Sequence, residues 1–332
     1  MFVGVKDDLF NNIRYAEQQP LSDLDQVLVK FCFDADEPIG YCFSCFFDLH
    51  GNPSEHANRD DICCLKPQEW IKDTIINLVV IQLTNQQRAD HADQCHTAWY
   101  LPTYVARKRL ACTSEKQSKA EIKNIADKWF RPDRYTGKLL SCKEIYMPFN
   151  DNESHWLCLK VDMVHNVVYL YDPKPDPYRA EERITVAQLL VKALHELLQR
   201  KHAIDYQASV EEFELMELKV APRQKDHDTY FPLHRSRYCC LSCGACTSMM
   251  GSSYDMQFGD IDRQRLVLNL VRDLHNSAYS SVQNAFAEYT ARYVAPEYAK
   301  SHLLNEKSDV YSFGVSVFLN YWKGSSGLWS PG

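Results

Sequence analysis

The sequence predicts an α+β fold in which helices pack on a modest sheet. Helical stripes of apolar residues mix with short apolar strands, without the strict strand–helix alternation of a parallel α/β sheet. Hydrophobic residues make up 45% of the 332 residues and charged residues 24%, a balance typical of globular chains that bury a core. No internal repeat or low-complexity tract interrupts this pattern.

Charge and apolar runs exclude several classes of protein. The net charge is −7, whereas a protein that binds the nucleic-acid backbone is usually positive. The opening MFVGVKDDLFNN has acidic residues where a signal peptide needs an apolar run, and no stretch approaches the roughly 18 apolar residues of a membrane span. We therefore expect a soluble intracellular protein without nucleic-acid or membrane partners. We expect its thirteen cysteines to be mostly reduced thiols.

The first half of the chain contains four predicted parts. Residues 1–63 form an N-terminal region of unclear structure, in which the runs VLVKFCF and YCFSCFF are typical of strands. A helix follows Pro67 and a second helix covers SKAEIKNIADKWF, with the extended piece WYLPTYVA between them. The apolar stripes of these two helices are Ile71, Ile75, Leu78, Val79 and Leu83, and Ile122, Ile125, Ala126 and Trp129.

The stretch SHWLCLKVDMVHNVVYLYDP, residues 154–173, predicts a β-hairpin. If Asp162 to Asn166 form its loop, Trp156 lies opposite Asp172, and His155 lies beside Asp172 at the open end. Two interpretations remain. The two polar residues merely flank the strands, which their spacing alone favours, or the aspartate accepts the Nδ1–H of the histidine and orients it for catalysis.

Further elements flank this hairpin. KEIYMPF before it and FELMELKV after it are predicted strands. Thr185 caps a long helix, with Gln188 completing a T-x-x-Q capping box, and RQRLVLNLVRDLH predicts a final helix. The inward stripes of these helices are Val186, Leu189, Leu190, Ala193, Leu194 and Leu197, and Leu266, Leu268, Leu270, Val271 and Leu274.

Several ordered motifs resemble a known family. EWIKDTIIN, HW, YDP and PRQ, spread over residues 64–275, resemble motifs of the ubiquitin-like-protein (Ulp, SUMO-type) cysteine proteases, particularly divergent plant members. The resemblance implies a papain-like fold of the Ulp type and cleavage after the C-terminal Gly-Gly of a ubiquitin-like modifier. It also implies that Trp70 and Trp156 cover a narrow tunnel for the Gly-Gly tail and that Asp73 is a substrate-binding residue.

The same resemblance implies catalytic roles. The family's histidine and aspartate fall on His155 and Asp172, and its oxyanion-hole glutamine falls on Gln224. The family pattern Q-x-N-x-x-D-C-G is broken here, since Cys-Gly follows only after the fourteen residues Thr229–Ser242. We interpret these residues as an insertion, of the kind that a retained intron or a mistaken gene model produces, and Cys243 as the displaced nucleophile. A thiol near pKa 8.5 needs a neighbouring imidazole to become a thiolate.

Two cysteine clusters offer zinc binding as an alternative. They comprise Cys240, Cys243 and Cys246 with His234, and Cys42 and Cys45 with His50. A closed zinc site usually needs two cysteine pairs held apart, and a buried cysteine on a strand is commoner than a ligand. We therefore expect no metal and no cofactor.

The C-terminal part resembles a fragment of another family. Residues 292–320 are similar to the end of the activation segment and the following helix of plant receptor-like kinases, with Ala295–Glu297 as the A-P-E element and Asp309 in SDVYSFG. The chain has no glycine-rich phosphate loop, V-A-I-K lysine, H-R-D-x-x-x-x-N or D-F-G motif. We expect this fragment to lack phosphotransfer activity.

The sequence thus predicts three regions. They are residues 1–63, an Ulp-like protease domain over 64–278 with an insertion at 229–242, and a truncated kinase-like fragment over 290–322. The leading prediction is a monomeric cysteine-type peptidase or isopeptidase of the nucleus or cytoplasm, whose partner is a SUMO-type modifier or its conjugates. The alternatives are a pseudo-protease that only binds such a modifier, and a degenerate gene fusion without activity.

Overall fold

The computed structural model describes the chain in separate segments. These are residues 20–34, 40–47, 53–90, 98–129, 142–151, 155–172, 175–202, 208–217 and 260–293. The chain divides into two compact units, Met1–Ser277 and Ala278–Gly332. All elements described below belong to the first unit, except the last helix.

A helix and a hairpin occupy the N-terminal region. Helix α1 spans Asp23–Phe33, and strands β1 (Cys42–Phe47) and β2 (Pro53–Asn58) pair antiparallel. The strand predicted for YCFSCFF is confirmed as β1. The strand predicted for VLVKFCF is wrong, because its apolar residues recur at helical spacing and the Ser22 side chain caps the helix by accepting the Asp25 N–H.

The first unit contains a mixed five-stranded sheet. Its strands, in spatial order, are β3 (Ala98–Tyr100), β4 (Glu144–Asn150), β5 (Trp156–Asp162), β6 (Val167–Tyr171) and β7 (Glu214–Glu217). The two outer pairs of neighbouring strands are parallel and the two inner pairs antiparallel. This arrangement confirms the predicted α+β class with a small mixed sheet.

The chain also contains several further helices. Their bounds are α2 Arg59–Ile62, α3 Asp73–Asp90, α4 Thr103–Leu110, α5 Glu115–Trp129, α6 Ala180–His202 and α7 Asp260–Val271, and in the second unit α8 Tyr279–Tyr293. The helices predicted after Pro67 and over SKAEIKNIADKWF are confirmed as α3 and α5. The extended structure predicted for WYLPTYVA is only partly correct, because β3 is followed by α4, whose first residue comes directly after Pro102.

One face of the sheet packs against α4, α5 and α6. Alternate residues of three strands are buried in this core, namely Ile145, Met147, Phe149, Leu157, Leu159, Val161, Val168 and Leu170. Each large apolar side chain that is withdrawn from water stabilises the fold by about 2 kcal/mol. The core therefore holds α6 against the same sheet face to which the odd-numbered residues of β5 point.

The hairpin β5–β6 is shifted by one residue from the predicted register. Asp162 pairs with Val167, so Asp162 belongs to the strand and not to the loop. Its carboxylate accepts hydrogen bonds from two backbone N–H groups of the turn, and Asn166 adopts the positive φ of 57° that closes it. The prediction that Trp156 lies opposite Asp172 is therefore wrong.

Two helix ends differ from prediction. The cap predicted at Thr185 is wrong, because α6 begins five residues earlier and the Thr185 hydroxyl donates to the Glu181 carbonyl at 2.9 Å, inside the helix. The inward position predicted for Leu274 is also wrong. Helix α7 ends at Val271, and the Leu274 side chain is 97% exposed.

A buried arginine of α7 holds the segment that precedes Trp70. Arg263 is 1% exposed, and its Nη1 donates to the carbonyl oxygens of Lys66 and Glu69, each at 2.9 Å. Hydrogen bonds from a charged donor stabilise more than those between neutral groups. Helix α7 thereby positions the segment that leads directly into Trp70.

We expect Arg263→Met to lower the free energy of unfolding by about 3 kcal/mol, because it removes a charged donor from two carbonyl oxygens. Chemical denaturation measures this change. Arg272→Met is the matched control, since Arg272 makes a more exposed ion pair with Asp25 and its loss should cost less than about 1 kcal/mol. Equal losses in the two variants would show that the hydrogen bonds of Arg263 stabilise the fold no more than an exposed ion pair does.

Candidate active site

A histidine and an aspartate meet where β5 begins and β6 ends. His155 Nε2 lies 2.8 Å from Asp172 Oδ1, and both side chains are largely buried. An ionised carboxylate only accepts hydrogen bonds, so the neutral ring carries its proton on Nε2. The Nδ1–H contact predicted for this pair is wrong. The other ring nitrogen, Nδ1, carries a lone pair that can accept a proton from a nucleophile.

The observed register explains why these two side chains meet. Cys158 pairs with Tyr171, so His155 and Asp172 are diagonal neighbours two positions apart, and such neighbours share a face. Under the predicted register they would have pointed to opposite faces. Trp156, the next residue after His155, points to the other face, where its Nε1 donates to the Ile71 carbonyl at 3.0 Å.

Asp172 is held in its ionised form. Burial is the largest influence on its pKa and acts to raise it, but the hydrogen bond from His155 and the charge of Arg183 outweigh burial, so the pKa lies below its usual range. Arg183 Nη1 donates to Asp172 Oδ2 at 2.7 Å. Each carboxylate oxygen therefore has a partner, His155 on one and Arg183 on the other.

Arg183 is the site residue that sequence reasoning missed. It lies in the first turn of α6, is 6% exposed, and also contacts Asp151, the residue that follows β4. A signal was present, because Arg183 continues the buried stripe of Ala187 and Leu190 by one further turn. The predicted stripe omitted Arg183 because the helix was predicted to begin at Thr185.

The substrate-binding positions implied by the resemblance lie together in a groove of about 380 Å³. The groove is lined by Trp70, Ile71, Lys72, Asp73, Thr103, Arg107, Leu110, Asn150 and Trp156. Trp70 is 54% exposed, whereas Trp156 is anchored by its hydrogen bond to the backbone of Ile71. Asp73 forms an ion pair with Arg107 at 2.8 Å, an additional partner that the sequence did not suggest.

Several predicted features lie outside the described residues. These are Cys243, Gln224, the insertion Thr229–Ser242, the zinc alternative around Cys240 and most of the kinase-like fragment. Within the segments that the structure describes, no three histidine, cysteine or acidic side chains are grouped as metal ligands would be. Within the same segments, no helix combines the length and apolar character needed to cross a lipid bilayer.

Comparison with known proteins identifies a family for the central region. Residues 69–228 match the model of the Ulp1 protease family, C-terminal catalytic domain. The match spans the groove, His155, Asp172 and Gln224, and it ends at the residue that precedes the predicted insertion Thr229–Ser242.

Solved structures show the same fold. The C-terminal Ulp1 protease domain in complex with Smt3, the yeast ortholog of SUMO, is 15% identical with a TM-score of 0.50, over 78% of this chain and 98% of that chain. The Ulp1-like SUMO protease catalytic domain of Chaetomium thermophilum is 16% identical with a TM-score of 0.52, over 79% of this chain and 94% of that chain. At these identities the likeness is one of fold, and the predicted Ulp-type α+β fold is confirmed.

A second family is matched near the C-terminus. Residues 268–327 match the model of protein tyrosine and serine/threonine kinases. A probable receptor-like protein kinase of Arabidopsis thaliana is 85% identical over 26 residues, which are 8% of this chain. The chain spans 5% of the length of that kinase.

The lowered pKa of Asp172 predicts a pH-dependent contribution to stability. The contribution is complete above the ordinary aspartate pKa of 3.8 and is lost as the pH falls through the lower folded-state pKa. We expect Asp172→Asn to reduce the free energy of unfolding by about 3 kcal/mol at neutral pH, because it removes one of the two carboxylates that the buried Arg183 guanidinium contacts. Denaturation at several pH values should show this difference shrinking below about pH 4.

Asp127→Asn is the control for this experiment, since Asp127 is exposed on α5. It should leave the pH profile of unfolding unchanged. A difference between wild type and Asp172→Asn that stays constant down to the acid limit would contradict the assignment of a lowered pKa to Asp172.

Proposed function

We propose, from the premise that residues 69–228 belong to the Ulp1 protease family, that this chain is a cysteine-type peptidase or isopeptidase of ubiquitin-like modifiers. The observation that carries the proposal is the 2.8 Å contact between His155 and Asp172, directly beside the Trp70–Trp156 groove. The contact orients a general base, and the groove offers a place for an extended peptide tail.

His155 is the proposed general base. Its Nε2–H is held by Asp172, so its Nδ1 takes the proton from the thiol of Cys243. The resulting imidazolium is stabilised by the Asp172 carboxylate, whose ionised state is supported by the pKa shift described above. The same proton then passes to the leaving amine, which restores the neutral imidazole for hydrolysis of the acyl-enzyme.

Cys243 and Gln224 complete the proposed chemistry. The Cys243 thiolate attacks the carbonyl carbon of the modifier's last glycine, and a thioester forms as the amine leaves. The Gln224 side-chain amide and the Cys243 N–H donate to the oxyanion of the tetrahedral intermediate. Water then attacks the thioester, releases the modifier's carboxylate and returns the thiol.

The groove is the proposed site of the Gly-Gly tail. Trp156, anchored by its hydrogen bond to the Ile71 carbonyl, and the half-exposed Trp70 both line the groove. In the proposal their indole rings cover the glycine tail and reject side chains larger than hydrogen. A SUMO-type modifier is the proposed partner, in keeping with the yeast structure, in which the protease domain is bound to a SUMO ortholog. We propose that the chain acts as a monomer inside the cell, in the nucleus or the cytoplasm.

A binding module without activity is the second candidate. The observation that favours it is that the family match stops at residue 228, just before Thr229–Ser242 separate the glutamine from Cys243. An insertion of this size costs little closure entropy, but a misplacement of about 1 Å can cost 100-fold in rate. We further propose that the kinase-like tail has no phosphotransfer activity, because the chain lacks the motifs that bind Mg-ATP.

We expect a SUMO-type modifier with a C-terminal electrophile to form a covalent adduct with the full chain at Cys243. Cys243→Ala should abolish the adduct, because the proposed mechanism assigns the nucleophile to this thiol, and His155→Ala should slow it at least about 1,000-fold, because it removes the proposed general base. Mass spectrometry of the adduct measures both effects. Cys240→Ala and Cys246→Ala are matched controls that should react like wild type.

Two results would contradict the peptidase proposal. Tight binding of the modifier without any adduct would leave the binding module as the function. An adduct that survives in Cys243→Ala would show that a different thiol is the nucleophile.

We expect Trp70→Ala to slow adduct formation at least about tenfold and to relax the preference for Gly-Gly over Ala-Gly tails, because it opens one side of the groove. The rate of adduct formation with modifiers ending in Gly-Gly and in Ala-Gly, sampled at timed intervals, measures both effects. Leu274→Ala is the matched control, since Leu274 is a more exposed apolar residue outside the groove. An unchanged tail preference in Trp70→Ala would remove the groove from the proposal.

A further inference from the structure

We infer that Arg183 is a positioning residue for His155, acting through a closed ring of contacts that reaches both the imidazole and the backbone of the histidine. The inference deepens the proposed function, because it assigns a task to a residue that neither the motifs nor the family match identifies. It rests on the described contacts of Arg183, Asp151, Asp172 and His155.

The first half of the ring runs through the imidazole. His155 Nε2 donates to Asp172 Oδ1 at 2.8 Å, and Arg183 Nη1 donates to Asp172 Oδ2 at 2.7 Å. The carboxylate is therefore held at both oxygens and cannot rotate without breaking one of these bonds. A carboxylate fixed in this way keeps the imidazole in one orientation and one tautomer.

The second half of the ring runs through the backbone. Arg183 Nε and Nη2 both donate to Asp151 Oδ2, at 3.2 and 3.0 Å. Asp151 Oδ1 accepts the backbone N–H of His155 at 3.3 Å, and the Asp151 N–H donates to the His155 carbonyl at 3.0 Å. One guanidinium thus joins the carboxylate on the ring side of His155 to the carboxylate on its backbone side.

Only an arginine fits this task. Its planar fork presents Nη1 in one direction and the Nε–Nη2 edge in another, whereas a lysine has a single ammonium that cannot bridge two carboxylates in fixed directions. Arg183 is 6% exposed, and Asp151 and Asp172 are 6% and 7% exposed. Water competes little at these depths, so the directions of the bonds are set by the protein.

A second arginine contacts the ring. The two aspartates face the guanidinium of Arg183, and Arg179 adds a second guanidinium with Nη1 3.0 Å from Asp151 Oδ2. The exposed carboxylate of Glu182 pairs with Arg179 in turn. Asp151 therefore contacts two guanidinium groups, that of Arg179 directly before α6 and that of Arg183 in its first turn.

A purely structural ion pair would behave differently from a positioning residue. Loss of a structural pair would lower the stability of the chain but leave the imidazole unchanged in the molecules that remain folded. Loss of a positioning residue would change the imidazole in folded molecules. The tautomer of His155, read from its ring nitrogens by ¹⁵N NMR, separates these two roles.

The test compares Arg183→Met and Arg183→Lys with Arg200→Met, which removes an exposed arginine of the same helix. In the folded wild type and in Arg200→Met, we expect neutral His155 to carry its proton on Nε2. In Arg183→Met we expect a mixture of tautomers and a rise in the pKa of Asp172, measured by ¹³C NMR. The lysine variant keeps the charge and the fold and should still show the mixture.

Turnover of a modifier substrate provides a second measurement. We expect kcat to fall about 100-fold in Arg183→Met and about tenfold in Arg183→Lys, with KM within about twofold of wild type, because the groove is untouched. A pure Nε2–H tautomer in both Arg183 variants would overturn the inference. If the wild-type chain proves inactive, the proposed function fails while the NMR result still decides the role of Arg183.

Discussion

The hydrogen bond between the His155 ring and the Asp172 carboxylate forms at a cost, because both groups are withdrawn from water. Burial by itself would raise the pKa of this carboxyl group and favour its protonated form. The hydrogen bond from His155 and the positive charge of Arg183 at the second oxygen together lower the pKa and keep the group ionised. The geometry of the site therefore depends on a charge that comes from α6, and α6 depends on the core that holds it against the sheet.

The same strand end serves both sides of the candidate site. Consecutive residues of a strand point to opposite faces, so His155 turns toward α6 while Trp156 turns toward the groove. The two contacts of this strand end, from His155 to Asp172 and from Trp156 to the Ile71 carbonyl, are made by consecutive residues with no loop between them. A rigid element places side chains more accurately than a loop does, which suits chemistry that is sensitive to small displacements.

Much of this arrangement could be predicted from the sequence, but the reasons were not all correct. The helices α3 and α5 and the pairing of β5 with β6 follow from apolar periodicity. The contact between His155 and Asp172 was expected from a strand register that would have placed them on opposite faces. The observed register differs by one residue because Asp162 belongs to the strand and its carboxylate accepts hydrogen bonds from the turn. Sequence patterns do not reveal such contacts. Arg183 was missed because the T-x-x-Q pattern at Thr185 resembles a helix start, although the helix begins earlier and the Thr185 hydroxyl bonds to a carbonyl inside it.

The ends of the connection between β7 and α7 are both held by the fold. β7 pairs with β6 at one end, and at the other Arg263 anchors α7 to the segment before Trp70. Doubling the length of a flexible connection adds only about 0.6 kcal/mol of closure entropy. Gln224 and Cys243, to which the proposed function assigns catalytic roles, belong in sequence to this connection, whereas His155 and Asp172 belong to the sheet. An insertion into this connection would therefore add little to the cost of folding, while it would change the spacing between the two residues on which the proposed chemistry depends.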